Sequence, residues 1–181
     1  MRALIYIIDT IASLITLLLL LRFWLPWVGA DFRNPMAQGI LQLTSPLINP
    51  LRRIIPAIGR IDTATVVLAL AVQAIAITLV LLLAGAPLQI GFILISAAFE
   101  LVKLSLLLFT FAIIIRIVLS WVAPGTYNPA TALIENLTDP VLRPFRRMLP
   151  TFGGFDISPV FAIIILVALS ILVEDSRSLF L

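Results

Sequence analysis

Four runs of this 181-residue chain are too long and too apolar for a fold that faces water on all sides. A bilayer core about 30 Å thick takes roughly 20 apolar residues in a helix. Ala3 to Leu21 is the first such run, interrupted by Asp9 and a few hydroxyls. Ala64 to Ala84 is the second, with Gln73 as its one strongly polar member. Leu88 to Trp121 is a long third stretch carrying Glu100, Lys103 and Arg116, and Ile157 to Val173 is the fourth. Composition agrees, with 62% of residues hydrophobic and 12% charged, against about 45–50% and about 25% in soluble domains. The chain reads as an integral membrane protein of about four helices. Val28-Gly29-Ala30 fits a signal cleavage site, but the first run exceeds the roughly 7–15-residue core of a signal peptide, so it is read as a span.

Local signals place the ends. Asp62-Thr63 precedes the second span, and Ser158-Pro159 opens the fourth with a cap residue followed by proline. Gly85-Ala86-Pro87 ends the second span in a turn. As one helix, the third stretch would measure about 51 Å at 1.5 Å per residue. The expectation is a short segment, Leu88 to Ser96, that lies in the interface or tilts into the membrane, and a span from about Ala97 to Leu119.

Shifted by 94 residues, the sequence lies on itself without a gap. Arg22, Leu25 and Trp27 fall on Arg116, Leu119 and Trp121; Asn34-Pro35 falls on Asn128-Pro129. Leu43-Thr44-Ser45-Pro46 falls on Leu137-Thr138-Asp139-Pro140, and Pro50-Leu51-Arg52-Arg53 on Pro144-Phe145-Arg146-Arg147. Pro56, Gly59 and Asp62 fall on Pro150, Gly153 and Asp156. Prolines, glycines and charges dominate the matches, which apolar composition alone does not produce, so the chain is a tandem duplication. Residues 1–85 form the first unit, 86–96 an apolar linker and 97–181 the second unit. Each unit is span, polar loop, span, so both enter the membrane from the same side and the repeats are parallel.

This doubled pattern, an Arg-x-x-Leu-x-Trp helix end followed by Asn-Pro, Leu-Thr-x-Pro, Pro-x-Arg-Arg, Pro, Gly and x-x-Asp, resembles the YGGT repeat of the bacterial YggT / YlmG membrane proteins. The resemblance covers nearly the whole chain; Arg60 and Thr65 depart from the Gly154 and Pro159 of the second unit. It implies a multi-pass protein of the bacterial inner membrane, with relatives also in plastid membranes. It further implies a link to osmotic or ion homeostasis, cell division and nucleoid distribution, or cytochrome maturation, without a common chemistry.

The distribution of charge orients the chain. The two repeat loops hold Arg33, Arg52, Arg53, Arg60, Arg143, Arg146 and Arg147, whereas the other side has only Arg2 and Arg177. The positive-inside rule therefore predicts cytoplasmic loops and both termini outside. Arg22 and Arg116, at the inner helix ends, are expected to snorkel to the headgroups beside Trp24, Trp27 and Trp121. Within the loops, Asn34-Pro35 and Asn128-Pro129 predict short helices to about Leu43 and Leu137. Pro46 and Pro140 then turn the chain, and Pro50 and Pro144 break or restart it.

Candidate functional residues follow. Arg52, Arg53, Arg143, Arg146 and Arg147 form basic loop patches suited to protein partners or anionic lipid; they serve equally as topological anchors. Asp9, Glu100 and Lys103 lie near membrane depth, where ionisable groups are costly and usually paired. Asp9 maps onto Lys103 in the repeat, so these three are expected to form a charge network between the first and third spans. Asp62 and Asp156, recurring before the even spans, read as helix caps or as a carboxylate pair around a small cation. The chain has no Cys and no His, which excludes disulfides, thiolate nucleophiles, haem ligation by those residues and Ser-His-Asp triads. No cofactor or metal is expected, and no nucleic-acid partner. The favoured reading is a non-enzymatic scaffold or assembly factor, with other membrane proteins or a second copy as plausible partners. The alternative is a transporter or ion-homeostasis protein that uses the charges between the repeats.

Overall fold

The computed structural model describes residues 1–59, 61–122, 128–148 and 156–180. Arg60, Pro150, Gly153 and Gly154 lie outside them. Six helices follow in order: α1 Arg2–Trp24, α2 Pro35–Arg52, α3 Thr63–Ala84, α4 Ile90–Val122, α5 Pro129–Met148 and α6 Ser158–Phe180. No strand occurs among the described residues; one isolated bridge joins Ile58 and Ile61. Four helices, α1, α3, α4 and α6, are long and apolar enough to cross a membrane. Their exposed flanks are rich in Leu, Ile, Val and Phe, the surface a bilayer solvates.

The duplication is visible in the packing. In each unit the two spans lie against one another, α1 on α3 and α4 on α6, and the loop helix packs beside them. The units meet where α4 packs on α3 and α1, and where α2 touches α5. Asn34 and Asn128 cap α2 and α5, their side chains accepting from the backbone N–H of Met36 and Thr131. The Asn34 amide also donates to the Pro129 carbonyl at 2.7 Å, tying the two loop helices together. Both loops therefore sit at one end of the bundle. Trp24 joins the units too, edge-on to Phe109 with ring centroids 5.0 Å apart.

Two expectations are corrected. The third stretch does not divide: α4 runs unbroken for 33 residues, so the expected interfacial segment is its first turns. Gly85 ends α3 in the left-handed conformation with φ of 68°, as its sequence requires, and the helix restarts at Ile90. The loop prolines do not break their helices either. Pro46 and Pro50 lie inside α2, and Pro140 and Pro144 inside α5. A proline in a helix interior loosens the ladder and leaves carbonyls of the preceding turns short of donors. Hydroxyls of the same stretches add bonds to neighbouring carbonyls. Thr44 donates to the Ile40 carbonyl at 2.6 Å, Ser45 to that of Leu41 at 2.6 Å, and Thr138 to that of Ile134 at 2.7 Å.

Candidate functional site

The polar residues of each unit converge where its first span ends, its proline-containing loop helix passes and its second span begins. In the first unit Arg22 stands in the last turn of α1, yet it is only 4% exposed. It does not snorkel. Its Nη1 donates to the Thr44 hydroxyl at 2.7 Å, the Ser45 hydroxyl at 3.2 Å and the Leu41 carbonyl at 3.2 Å. Arg52, at the end of α2, grips both oxygens of Asp62 at 2.5 and 3.3 Å. The Thr65 hydroxyl donates to Asp62 Oδ2 at 2.6 Å. Burial opposes ionisation of Asp62, but the bonds from Arg52 and Thr65 and the nearby guanidiniums outweigh it and hold the carboxyl below its ordinary value.

The second unit builds the same node with one change. Arg116 donates to Thr138 at 2.7 Å and to Asp139 at 2.6 Å. Arg146 bridges Asp139 at 3.3 Å and Asp156 at 2.8 Å. Asp156 also accepts from the Ser158 backbone N–H at 2.9 Å. Burial again opposes ionisation there, and the bonds from Ser158 and Arg146 again prevail. Asp156 thus acts at a helix start as expected. Asp62 makes no such backbone bond; its oxygens are taken by Arg52 and Thr65. Neither carboxylate is left to pair with the other around a cation, and no metal-ligand group occurs among the described residues.

The basic loop residues accordingly separate into two kinds. Arg52 and Arg146 are partly exposed struts held by ion pairs to Asp62, Asp139 and Asp156. Arg53, Arg143 and Arg147 are exposed and make no ion pair among the described residues. Sequence spacing places the members of each Arg-Arg pair side by side without distinguishing them. The Asp ten residues after Arg52 and Arg146 is the signal that does, because it recurs in both units.

At the opposite end the charges pair differently from the expected network. Lys103 Nζ lies 2.6 Å from Glu174 Oε2, and Arg177 reaches Glu100 at 3.5 Å and Glu174 at 3.8 Å. The first two pairs join α4 to α6 within the second unit, and the third lies along α6. Asp9 is exposed on α1 and has no ion-pair partner among the described residues, so the structure does not bring Asp9 and Lys103 together as a pair. Glu174 and Arg177 carry this cluster, and their position at the polar end of the fourth span was its sequence signal.

A cavity of about 420 Å³ opens beside the first node, with Arg22, Ser45, Asn49, Arg52 and Asp62 as its polar lining. Comparison with known proteins gives these features a setting. The CCB3/YggT family model matches residues 1–83 and 95–176, one segment per repeat. An uncharacterized Pseudomonas aeruginosa protein is 48% identical over 177 residues, covering 96% of this chain and 89% of that one. The uncharacterized protein YggT of Escherichia coli K12 is 36% identical over 176 residues, 97% and 91% of the two chains. A Vibrio alginolyticus protein is 37% identical over 164 residues, 87% and 86% of the two. No solved structure matches. With both repeats covered and relatives alike over nearly their whole length, the chain belongs to the CCB3/YggT family.

Proposed function

We propose that the protein is a non-enzymatic scaffold of the bacterial inner membrane, its repeat loops cytoplasmic and its termini outside, which presents a basic platform to protein partners or anionic lipid. One observation carries this reading: α2 and α5 are amphipathic helices in contact at one end of the bundle, and Arg53, Arg143 and Arg147 stand exposed there without intramolecular partners among the described residues. Exposed guanidiniums at a headgroup-facing surface each add about 1 kcal/mol of attraction to an anionic membrane. They also offer a planar fork that carboxylates and phosphates match. The transport alternative gains no support from Asp9, Glu100 and Lys103, because Lys103 and Glu100 are engaged by α6 and Asp9 faces outward.

The test replaces Arg53, Arg143 and Arg147 with Lys together, keeping the charge and losing the fork. Co-purified proteins and lipids are then compared with wild type at equal expression and unchanged orientation. Loss of specific partners or anionic lipids supports the platform. An unchanged set leaves these arginines as topological anchors and removes the scaffold's best residues.

A further inference from the structure

We propose that the cavity between the end of α1, α2 and the start of α3 binds the phosphate of an anionic phospholipid headgroup. The proposal uses Arg22, Ser45, Asn49 and Arg52, not the exposed platform arginines, so it stands or falls separately from the scaffold reading.

The repeat supplies the central comparison. The second node balances two arginines, Arg116 and Arg146, with two carboxylates, Asp139 and Asp156. Among the described residues, the first node holds Arg22 and Arg52 against Asp62 alone, because Ser45 stands where the second unit has Asp139. One positive charge is left over. Arg52 is partly exposed, but Arg22 is buried: among the described residues its Nε has no hydrogen-bond partner, and the nearest carboxylate oxygen is 3.7 Å away. A buried guanidinium with an unused N–H is costly unless an acceptor arrives. Arg22 also lines the cavity, whose volume lies within the roughly 300–1,000 Å³ typical of small-molecule sites.

The lining defines the ligand class. Two guanidiniums and the Asn49 amide suit an oxyanion with several acceptor oxygens, and Ser45, whose proton goes to the Leu41 carbonyl, leaves uncharged the position where the second unit has a carboxylate. Asp62 is on the same wall, but Arg52 and Thr65 occupy its oxygens, so the site keeps a net positive charge. The remaining wall includes Phe32, Leu41 and Ile61, a surface for the glycerol and ester region rather than for water. Arg22 ends one span and Asp62 precedes another, which sets the cavity at headgroup depth, where an anionic leaflet concentrates this ligand.

The experiment titrates purified full-length protein in neutral detergent with three probes: short-chain phosphatidylglycerol, short-chain phosphatidylcholine and inorganic phosphate. Ser45→Asp copies the second unit and should close the site. Asn49→Asp, at an exposed position of α2, is the second variant. The expected result is saturable binding of phosphatidylglycerol over phosphatidylcholine, weakened about tenfold or more by Ser45→Asp, with the unfolding temperature unchanged or raised, and weakened also by Asn49→Asp. Inorganic phosphate that binds as tightly as phosphatidylglycerol and is lost in Ser45→Asp would overturn the lipid source while leaving the oxyanion site. No binding by wild type, or equal binding by wild type and both variants, overturns the site itself.

Discussion

Arg22 and Asp62 show how a charge at the end of a membrane span can be buried among partners from its own unit. The isolated sequence offers an arginine in the last turn of an apolar helix, for which snorkelling is the general solution. The actual solution depends on Thr44 and Ser45, roughly twenty residues away, and on the Leu41 carbonyl. Spacing within one element carries no trace of that. Duplication does, since Arg, Thr, Arg and Asp recur together as Arg116, Thr138, Arg146 and Asp156. Asp62 provides the residue-scale test. Its folded pKa lies below the unfolded value of 3.8. The ionised carboxylate therefore contributes stability that is complete above that value and disappears as pH falls through the folded pKa. Detergent-solubilised wild type should lose unfolding temperature on acidification below about pH 4. Asp62→Asn should start lower by roughly 2 kcal/mol at neutral pH, because Arg52 and the buried Arg22 lose their counter-ion. It should also show a shallower acid slope. An Asp62→Asn variant as stable as wild type at pH 7 would show that the node is not held by this carboxylate.

At the scale of elements, the spans were legible and their joints were not. Length and hydropathy set α1, α3, α4 and α6 because the bilayer demands about twenty apolar residues, and Gly85 needed no more than its own chemistry to end α3. The loop helices differed: prolines read as breaks lie inside α2 and α5, because each removes one N–H from a helix that the rest of its ladder and its packing against the spans still hold. Gln73 illustrates the same gap inside the membrane. It reads as an isolated polar residue, but its amide donates to the Thr16 hydroxyl at 3.0 Å, and both residues are buried between α3 and α1. Hydrogen bonds between membrane helices average about 0.6 kcal/mol, so Gln73→Leu, which removes donor and desolvation together, should cost about 1 kcal/mol or less. Thr16→Val should cost more, because the Gln73 amide then stays buried without its acceptor. Adding Gln73→Leu to Thr16→Val should recover part of the loss. Equilibrium unfolding of the four proteins measures the cycle, and a double variant worse than Thr16→Val alone would show that the pair is not coupled in this way.

For the whole molecule, the decisive constraint is that both loops occupy one end. Parallel repeats follow from two spans per unit, and the Asn34 bond to the Pro129 carbonyl, with α2 against α5, joins the two loops physically. One orientation therefore applies to every loop arginine at once. Seven Lys or Arg residues at that end, against Arg2 and Arg177 at the other, predict a cytoplasmic loop face. The opposite face has its own compensation, since Arg177 is tied to Glu100 and Glu174 and so contributes little net charge there. The chain contains no cysteine, so a single introduced thiol reports its position without background. Cys at Arg53 should be shielded from an impermeant reagent added to intact cells and labelled once the membrane is opened. Cys at Arg2 should label from outside at once, and a reporter fused after Leu181 should be active only in an extracytoplasmic form. Arg53 is the better loop position than Arg52, because Arg52 holds Asp62 and its loss disturbs the fold being probed. Labelling of the Arg53 site from outside, with Arg2 protected, would invert the molecule. The platform arginines and the cavity beside Arg22 would then face the other leaflet, and the charge asymmetry would have to be set by something other than the loops.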